Sequence, residues 1–264
     1  MTAIATIGHL TRDIVAGASP RPGGGVFYSA RALGRLGADA HVVAACTGTD
    51  RGTLLPPLEA FGLPVIWRES GTTTAYSFHY EGDRRIMSQD AVGEPWSPED
   101  AVAAAGDAGW VHVGALVRTD FPPESLAALA EGRRLLVDAQ GLVRTASLGP
   151  LHTDGEVGDA LRHVAILKLN DEEAETLVGS ADPEQLRALG VPDVILTLGS
   201  LGSIVITGDT IQRIAAKEIA GEVDPTGAGD TFSAGYLVAR AAGADPIEAA
   251  RAATETVSAF LADP

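Results

Sequence analysis

Asp224-Pro225-Thr226-Gly227-Ala228-Gly229-Asp230-Thr231-Phe232 is the stretch on which the reading of this chain turns. It runs directly into Ser233-Ala234-Gly235-Tyr236-Leu237-Val238, the start of an apolar helical pattern. A glycine-rich turn that opens a helix leaves backbone N–H groups pointing outward, and the helix dipole adds positive character there. That combination is an anion site. Gly227 and Gly229 let the backbone approach a ligand closely. Asp230 then places a carboxylate beside the anion, where simple binding would suffer from repulsion. The arrangement makes sense if the carboxylate takes a proton from an attacking hydroxyl. The competing reading is that Asp230 only caps the helix.

Working outward, the 264 residues suffice for one large α/β domain with a small appendage. Hydrophobic residues make up 45% and aromatics only 5%, so the core must be built mainly from Ala, Val, Leu and Ile. The net charge of −16 argues against nucleic-acid and anionic-membrane partners. It also means that a phosphorylated ligand needs local help from backbone N–H groups, a metal ion or a few cationic side chains. Lys168 and Lys217 are the only lysines. The single cysteine, Cys46, excludes a disulfide framework and a thiolate metal cluster. No N-terminal signal pattern and no apolar run of ~18 residues appear, so a cytoplasmic location is expected.

Short apolar runs alternate with helical patterns along the chain. Residues 3–10, 40–46, 63–67, 110–116, 134–141, 164–170 and 193–199 read as strands. Residues 28–37, 53–62, 123–132, 171–179 and 182–190 read as helices. Nearly continuous apolar strands separated by helices predict a mostly parallel sheet covered on both faces, with ligands at the carboxyl ends of the strands. Two segments break the alternation. Residues 72–88 carry a hairpin pattern around Glu81-Gly82-Asp83, and residues 10–18 suit short extended segments. Together they predict a small sheet standing off the main one; an antiparallel edge of the main sheet is the alternative. Residues 202–214 read as a further hairpin that extends the main sheet.

Several polar residues fall at the predicted strand ends. Asp13 follows the first strand, where a carboxylate accepts hydrogen bonds from hydroxyls or closes a turn. Gly23-Gly24-Gly25 precede a helix and permit close backbone approach. They form neither a Walker A loop nor a dinucleotide fingerprint. Asp138 and Arg144 lie in Val137-Asp138-Ala139-Gln140-Gly141-Leu142-Val143-Arg144, where a cap and a surface ion pair are the ordinary alternatives. Asn170 and Glu173 have the spacing of a capping box, and a carboxylate near phosphate oxygens also suits Mg²⁺. Thr197, Gly199 and Gly202 mark a tight turn about 25 residues before the glycine-rich run.

Taken in order, these segments resemble the PfkB, or ribokinase-like, carbohydrate kinases over about residues 3–260. The resemblance implies a three-layer ribokinase-like α/β fold: a single domain, 1–264, with a β lid from segments 10–18 and 72–88. It implies ATP-dependent phosphoryl transfer to a hydroxyl of a small sugar, cyclitol or polyol. Asp230 would be the base, and the N–H groups of Gly227, Ala228 and Gly229 the anion hole. Asp13, Gly24, Gly25, Tyr28, Asp138 and Arg144 would hold the acceptor. Asn170, Thr197, Gly199, Gly202 and Thr226 would bind ATP. Glu173 would hold Mg²⁺ through water, and Asp224 is the candidate for K⁺ or another monovalent cation. Tyr28 stands where ribokinases proper carry a sugar-binding Asn, which points away from ribose and toward the inositol and polyol branch. Two alternatives stay open. One is a nucleoside kinase that stacks a base on Phe27, Tyr28, Tyr76 or Phe78, and the other is a non-catalytic sugar- or nucleotide-binding regulator on the same scaffold. Pairing through the lid would give a homodimer.

Overall fold

The computed structural model describes residues 4–15, 19–81, 84–217, 219 and 223–262. The chain opens with β1 (Ile4–His9), β2 (Thr11–Val15) and β3 (Arg21–Gly23), then α1 (Gly25–Arg35), β4 (Ala40–Cys46), α2 (Gly48–Glu59) and β5 (Val65–Glu69). The hairpin β6 (Thr74–Glu81) and β7 (Arg84–Ala91) leads to α3 (Pro98–Ala105), β8 (Trp110–Gly114) and α4 (Pro123–Ala130). β9 (Arg134–Asp138), α5 (Gln140–Val143), β10 (Gly149–Pro150), β11 (Ile166–Asn170), α6 (Asp171–Val178), α7 (Pro183–Arg187) and β12 (Asp193–Thr197) follow. The hairpin β13 (Ser203–Thr207) and β14 (Thr210–Ile214) precedes α8 (Ala228–Ala241) and α9 (Pro246–Ala262).

Nine strands form the main sheet in the order β14-β13-β12-β11-β9-β8-β1-β4-β5. All neighbours are parallel except at the β12–β13–β14 edge. Alternate residues of each strand feed two different cores. Leu135, Val137, Leu167 and Leu169 pack with α3, α4 and α6 on one face. Leu136, Ile166 and Ile195 pack with α1, α8 and α9 on the other. This two-sided burial is why the strands read as unbroken apolar runs.

The second sheet has the order β10-β7-β6-β2-β3. β1 runs into β2 with only Leu10 between them, so the small sheet rises from the carboxyl end of the main one. It draws on residues 21–23 and 149–150 as well as the two segments marked in the sequence. Those two pieces are too short to show a period. Residues 16–18 and 82–83 of the proposed lid segments lie outside the described residues. Its inner face buries Tyr76 and Phe78 against Leu116. Helices α3 and α9 went unmarked in the sequence; the buried face of α3 is alanine alone and shows little hydrophobic contrast. Among the described residues, no helix is long and apolar enough to cross a membrane.

Candidate active site

The glycine-rich run folds as a turn that launches α8. Gly227 is the N-cap residue, left-handed at φ 80°, and Tyr28 packs so closely over it that a Cβ there would collide with the ring. Asp224 accepts a hydrogen bond from the Thr226 N–H at 3.0 Å, which shapes the turn. The Ala228 N–H donates to the Pro225 carbonyl at 3.0 Å. Of the expected anion-hole donors, the Ala228 N–H is thus engaged inside the turn, while Gly229 and Asp230 follow it in the first helical turn, where N–H groups lack intrahelical partners. Ser29 of α1 donates to the Asp230 carbonyl at 3.3 Å and ties the two helices together.

The Asp230 side chain is part-buried beside the Gly25 end of α1, where a Cβ on Gly25 would lie 3.0 Å from its Oδ1. Burial, followed by the negative charge of Asp138, pushes the Asp230 carboxyl up to about 6. A carboxylate that holds its proton this readily is a competent general base near neutral pH.

Beneath the start of α8 runs a row of polar side chains on four adjacent strands: Thr6 of β1, His112 of β8, Asp138 of β9 and Lys168 of β11. The Thr6 hydroxyl lies 3.1 Å from His112 Nδ1, and His112 Nε2 lies 2.7 Å from Asp138 Oδ2. Lys168 Nζ forms an ion pair with Asp138 Oδ1, and the Ser233 hydroxyl of α8 donates to the same oxygen at 3.2 Å. Asp138 is 2% exposed. Burial opposes its charge, but Lys168 and His112 outweigh it and hold the carboxyl below its ordinary range. Burial likewise opposes the Lys168 charge, and Asp138, Glu173 and Asp230 override it and hold the ammonium proton more tightly than usual. Asp138 therefore stands behind Asp230, engaged from three sides.

On the α1 side, Gly24 adopts φ 93° and its missing Cβ leaves room for the His9 carbonyl, 2.6 Å away. Asp13 of β2 folds against Gly23 of β3, and Tyr28 lies between this glycine corner and Gly227. Burial, then Asp13 and Asp230, push the Tyr28 hydroxyl above its ordinary value. The aromatics considered for base stacking divide here. Tyr76 and Phe78 are buried in the small sheet, and Phe27 packs edge-on against Tyr28 and Phe61.

On the other side of Asp230 opens a cavity of about 980 Å³ lined by Arg144, Lys168, Asn170, Glu173, Thr197, Gly199, Gly202, Gly227, Gly229 and Asp230. Most of the predicted donor residues therefore share one space, whereas Asp13, Gly24, Gly25 and Tyr28 gather on the opposite side of the carboxylate. Asn170 accepts from the Glu173 N–H at 2.8 Å while Glu173 accepts from the Asn170 N–H at 3.0 Å, a complete capping box. Gly202, at φ 94°, meets the Ile214 backbone too tightly for any side chain. Thr197 donates to the Leu169 carbonyl at 3.1 Å. Ala216, Val257 and Leu261 add apolar lining to the cavity, and Lys217 stands at its wall. Burial pushes the Glu173 carboxyl upward, and a divalent cation beside it would offset that cost, so the residue fits Mg²⁺. Asp224 is exposed on its turn.

His112 and Lys168 were missed in the sequence. A lone polar residue inside an apolar strand was the available signal, present in Trp110-Val111-His112-Val113-Gly114 and in Ile166-Leu167-Lys168-Leu169-Asn170. It gained meaning only when strand order put the two beside Asp138.

Comparison with known proteins agrees with this geometry. The model of the pfkB family carbohydrate kinases matches residues 10–262. A ribokinase of Bacillus subtilis (strain 168) is 30% identical over 251 residues, covering 90% of this chain and 82% of its own. A fructokinase of Rhizobium leguminosarum bv. trifolii is 27% identical over 256 residues, covering 88% and 76%. Among solved structures, a pyrophosphate-dependent kinase in the ribokinase family, complexed with a pyrophosphate analog and myo-inositol, superimposes with a TM-score of 0.86. It is 27% identical and covers 99% of this chain and 96% of its own. The ribokinase-like architecture, the glycine turn before α8 and a family match over nearly the whole length place this chain in the pfkB family of carbohydrate kinases, phosphotransferases with hydroxyl acceptors.

Proposed function

We propose that the protein transfers the terminal phosphoryl group of ATP, bound with Mg²⁺, to a hydroxyl of a small cyclitol, polyol or sugar. The observation that carries this reading is the position of Asp230. Its carboxylate stands between a glycine corner suited to a hydroxyl compound and a cavity suited to a polyphosphate, with its proton affinity raised to about 6. Asp230 would take the hydroxyl proton as the oxygen attacks phosphorus. The N–H groups of Gly229 and Asp230 would stabilise charge on the transferred group; a preorganised donor of this kind is worth roughly 2.7–4 kcal/mol in comparable anion holes. Asp13 would orient the acceptor, with Tyr28 closing the wall between acceptor and cradle, and Arg144 would face the donor phosphates from the cavity wall. Mg²⁺ near Glu173 would neutralise donor phosphate charge. Asp138 acts through Asp230 and Lys168. A monovalent cation near Asp224 belongs to the same proposal.

The apolar lining contributed by Ala216, Val257 and Leu261 favours a donor with a nucleobase. Inorganic pyrophosphate is the second reading for the donor, supported by the 27% identity and 0.86 TM-score to a pyrophosphate-dependent kinase. The same neighbour, with myo-inositol bound, makes a cyclitol the first acceptor to try.

The test is transfer of ³²P from γ-labelled ATP, or from labelled pyrophosphate, with Mg²⁺ and with or without K⁺. The acceptors are myo-inositol, common hexoses and pentoses, hexose monophosphates and nucleosides. Label on one acceptor with ATP, lost in Asp230→Asn, is the expected result. Label only from pyrophosphate would replace the donor, and label on nucleosides would replace the acceptor class. Donor binding without transfer to anything would favour the regulator.

A further inference from the structure

We propose that Lys168 is a catalytic residue: its ammonium group is a fixed cation that meets the phosphoryl group in flight at the Gly229 cradle. The inference rests on the kinase reading above. Its basis is position. Lys168 sits on β11 directly opposite Asp138 of β9 in the parallel register. Its Nζ pairs with Asp138 on the inner side, and the residue lines the cavity on the outer side. A Cβ on Gly229 would lie 2.8 Å from this Nζ, so the ammonium stands immediately under the cradle, at the spot the glycine keeps clear.

The surrounding ligand set says what belongs there. His112, Asp138 and Asp230 each aim one ligand atom into a space where all lie within 4.8 Å of one another, the kind of set that holds a metal ion. In this protein the charge is covalently attached. A lysine suits the place better than an arginine, because a compact ammonium with three donors can serve Asp138 and still offer N–H groups to a phosphate oxygen. Stability alone does not account for the pair, since a buried ion pair is often no better than well-packed apolar residues of similar volume. The chain uses lysine at only two positions against many arginines, and both lysines line this cavity.

In the step itself the acceptor oxygen bonds to the terminal phosphorus. The bond from phosphorus to the donor's bridging oxygen breaks, and its electron pair leaves on that oxygen with the nucleoside diphosphate, or with phosphate where the donor is pyrophosphate. Asp230 receives the hydroxyl proton. Lys168 stays protonated throughout and neutralises the equatorial oxygens as charge spreads over them.

Two measurements test this. The first compares Lys168→Met with the double variant Asp138→Asn/Lys168→Met, in which no buried carboxylate is left unpaired. The expected result is a kcat loss of about 100-fold or more that persists in the double variant, with the acceptor KM nearly unchanged. Recovery of turnover in the double variant would mean that Lys168 only neutralises Asp138, and would overturn the proposal. The second uses the wild-type protein, so it does not depend on a variant folding. Lysine labelled with ¹⁵N at Nζ gives one ammonium resonance from each of two residues, assigned with Lys217→Gln. Phosphate, methylenediphosphonate and a Mg²⁺ complex of β,γ-imido-ATP are then titrated in. A shift and slowed hydrogen exchange at Lys168 with at least one probe is expected; no change with any of the three would overturn the proposal. A wild-type protein that phosphorylates nothing would sink the kinase reading instead, while the titration would still report whether Lys168 meets an anion.

Discussion

On the proposed reading Asp230 is the base, and its environment fixes what pH should do. With the carboxyl near 6 in the folded protein, kcat/KM should climb as pH rises through about 6 and then level off; a profile flat from pH 5 to 8 would remove Asp230 as the base. Asp230→Asn should fold normally and lose roughly 10²–10⁴-fold in turnover. Stability follows the opposite sense. A carboxyl whose folded value is raised favours the folded state below its unfolded value of about 3.9, and that contribution is lost as pH rises through about 6. Asp230→Asn should therefore melt higher than wild type at pH 8 and lose that advantage at pH 4, which calorimetry at the two pH values would show. At this scale the sequence was candid about residues with local signatures. Asp230 and its glycines announce themselves by spacing. His112 and Lys168 do not, because what makes them significant is the order of strands β11, β9, β8 and β1, a property of no single segment.

The element that most repays attention is the β11–α6 junction. Its capping box satisfies two backbone donors at the helix start and also fixes the Glu173 carboxylate at the cavity wall. Asn170→Ala should cost about 1 kcal/mol, read as a fall of roughly 2–4 °C in Tm. The Glu173 carboxylate keeps the Asn170 backbone N–H, but the helix start that carries it loses the side-chain cap, so the Mg²⁺ concentration needed for half-maximal rate should also rise. An unchanged Mg²⁺ requirement would detach Glu173 from the metal. The same spacing that predicts a cap predicts a ligand position; the structure shows the cap, and the ligand role is the proposal this variant tests. Strands and strongly amphipathic helices were legible because burial on one or two faces imposes a period. Helix α3, built on Ala101, Ala104 and Ala105, was not, since a methyl group barely distinguishes a buried face from an exposed one.

Across the molecule, charge and ligand are mismatched. A net charge of −16 repels a polyanionic donor at long range, while Lys168 and Arg144 attract it only within the cavity. Raising ionic strength from about 10 to 150 mM, where the screening length contracts from roughly 30 to 8 Å, should therefore raise kcat/KM for the donor at fixed free Mg²⁺. A fall would mean that the cavity field governs approach. The overall architecture was readable from the alternation of strands and helices. The membership of the small sheet was not, because its pieces are brief and far apart in the chain. That scatter has a consequence for descent and for engineering. The small sheet is assembled from residues 11–15, 21–23, 74–81, 84–91 and 149–150, interleaved with strands of the main sheet. No crossover can exchange it by itself, because any contiguous fragment that contains it also carries β4, β5, β8 and β9 of the main sheet. On the proposal that this sheet covers the acceptor, preference must drift by point substitutions, each tested against an unchanged framework, rather than arrive by the transplant of a ready-made cover.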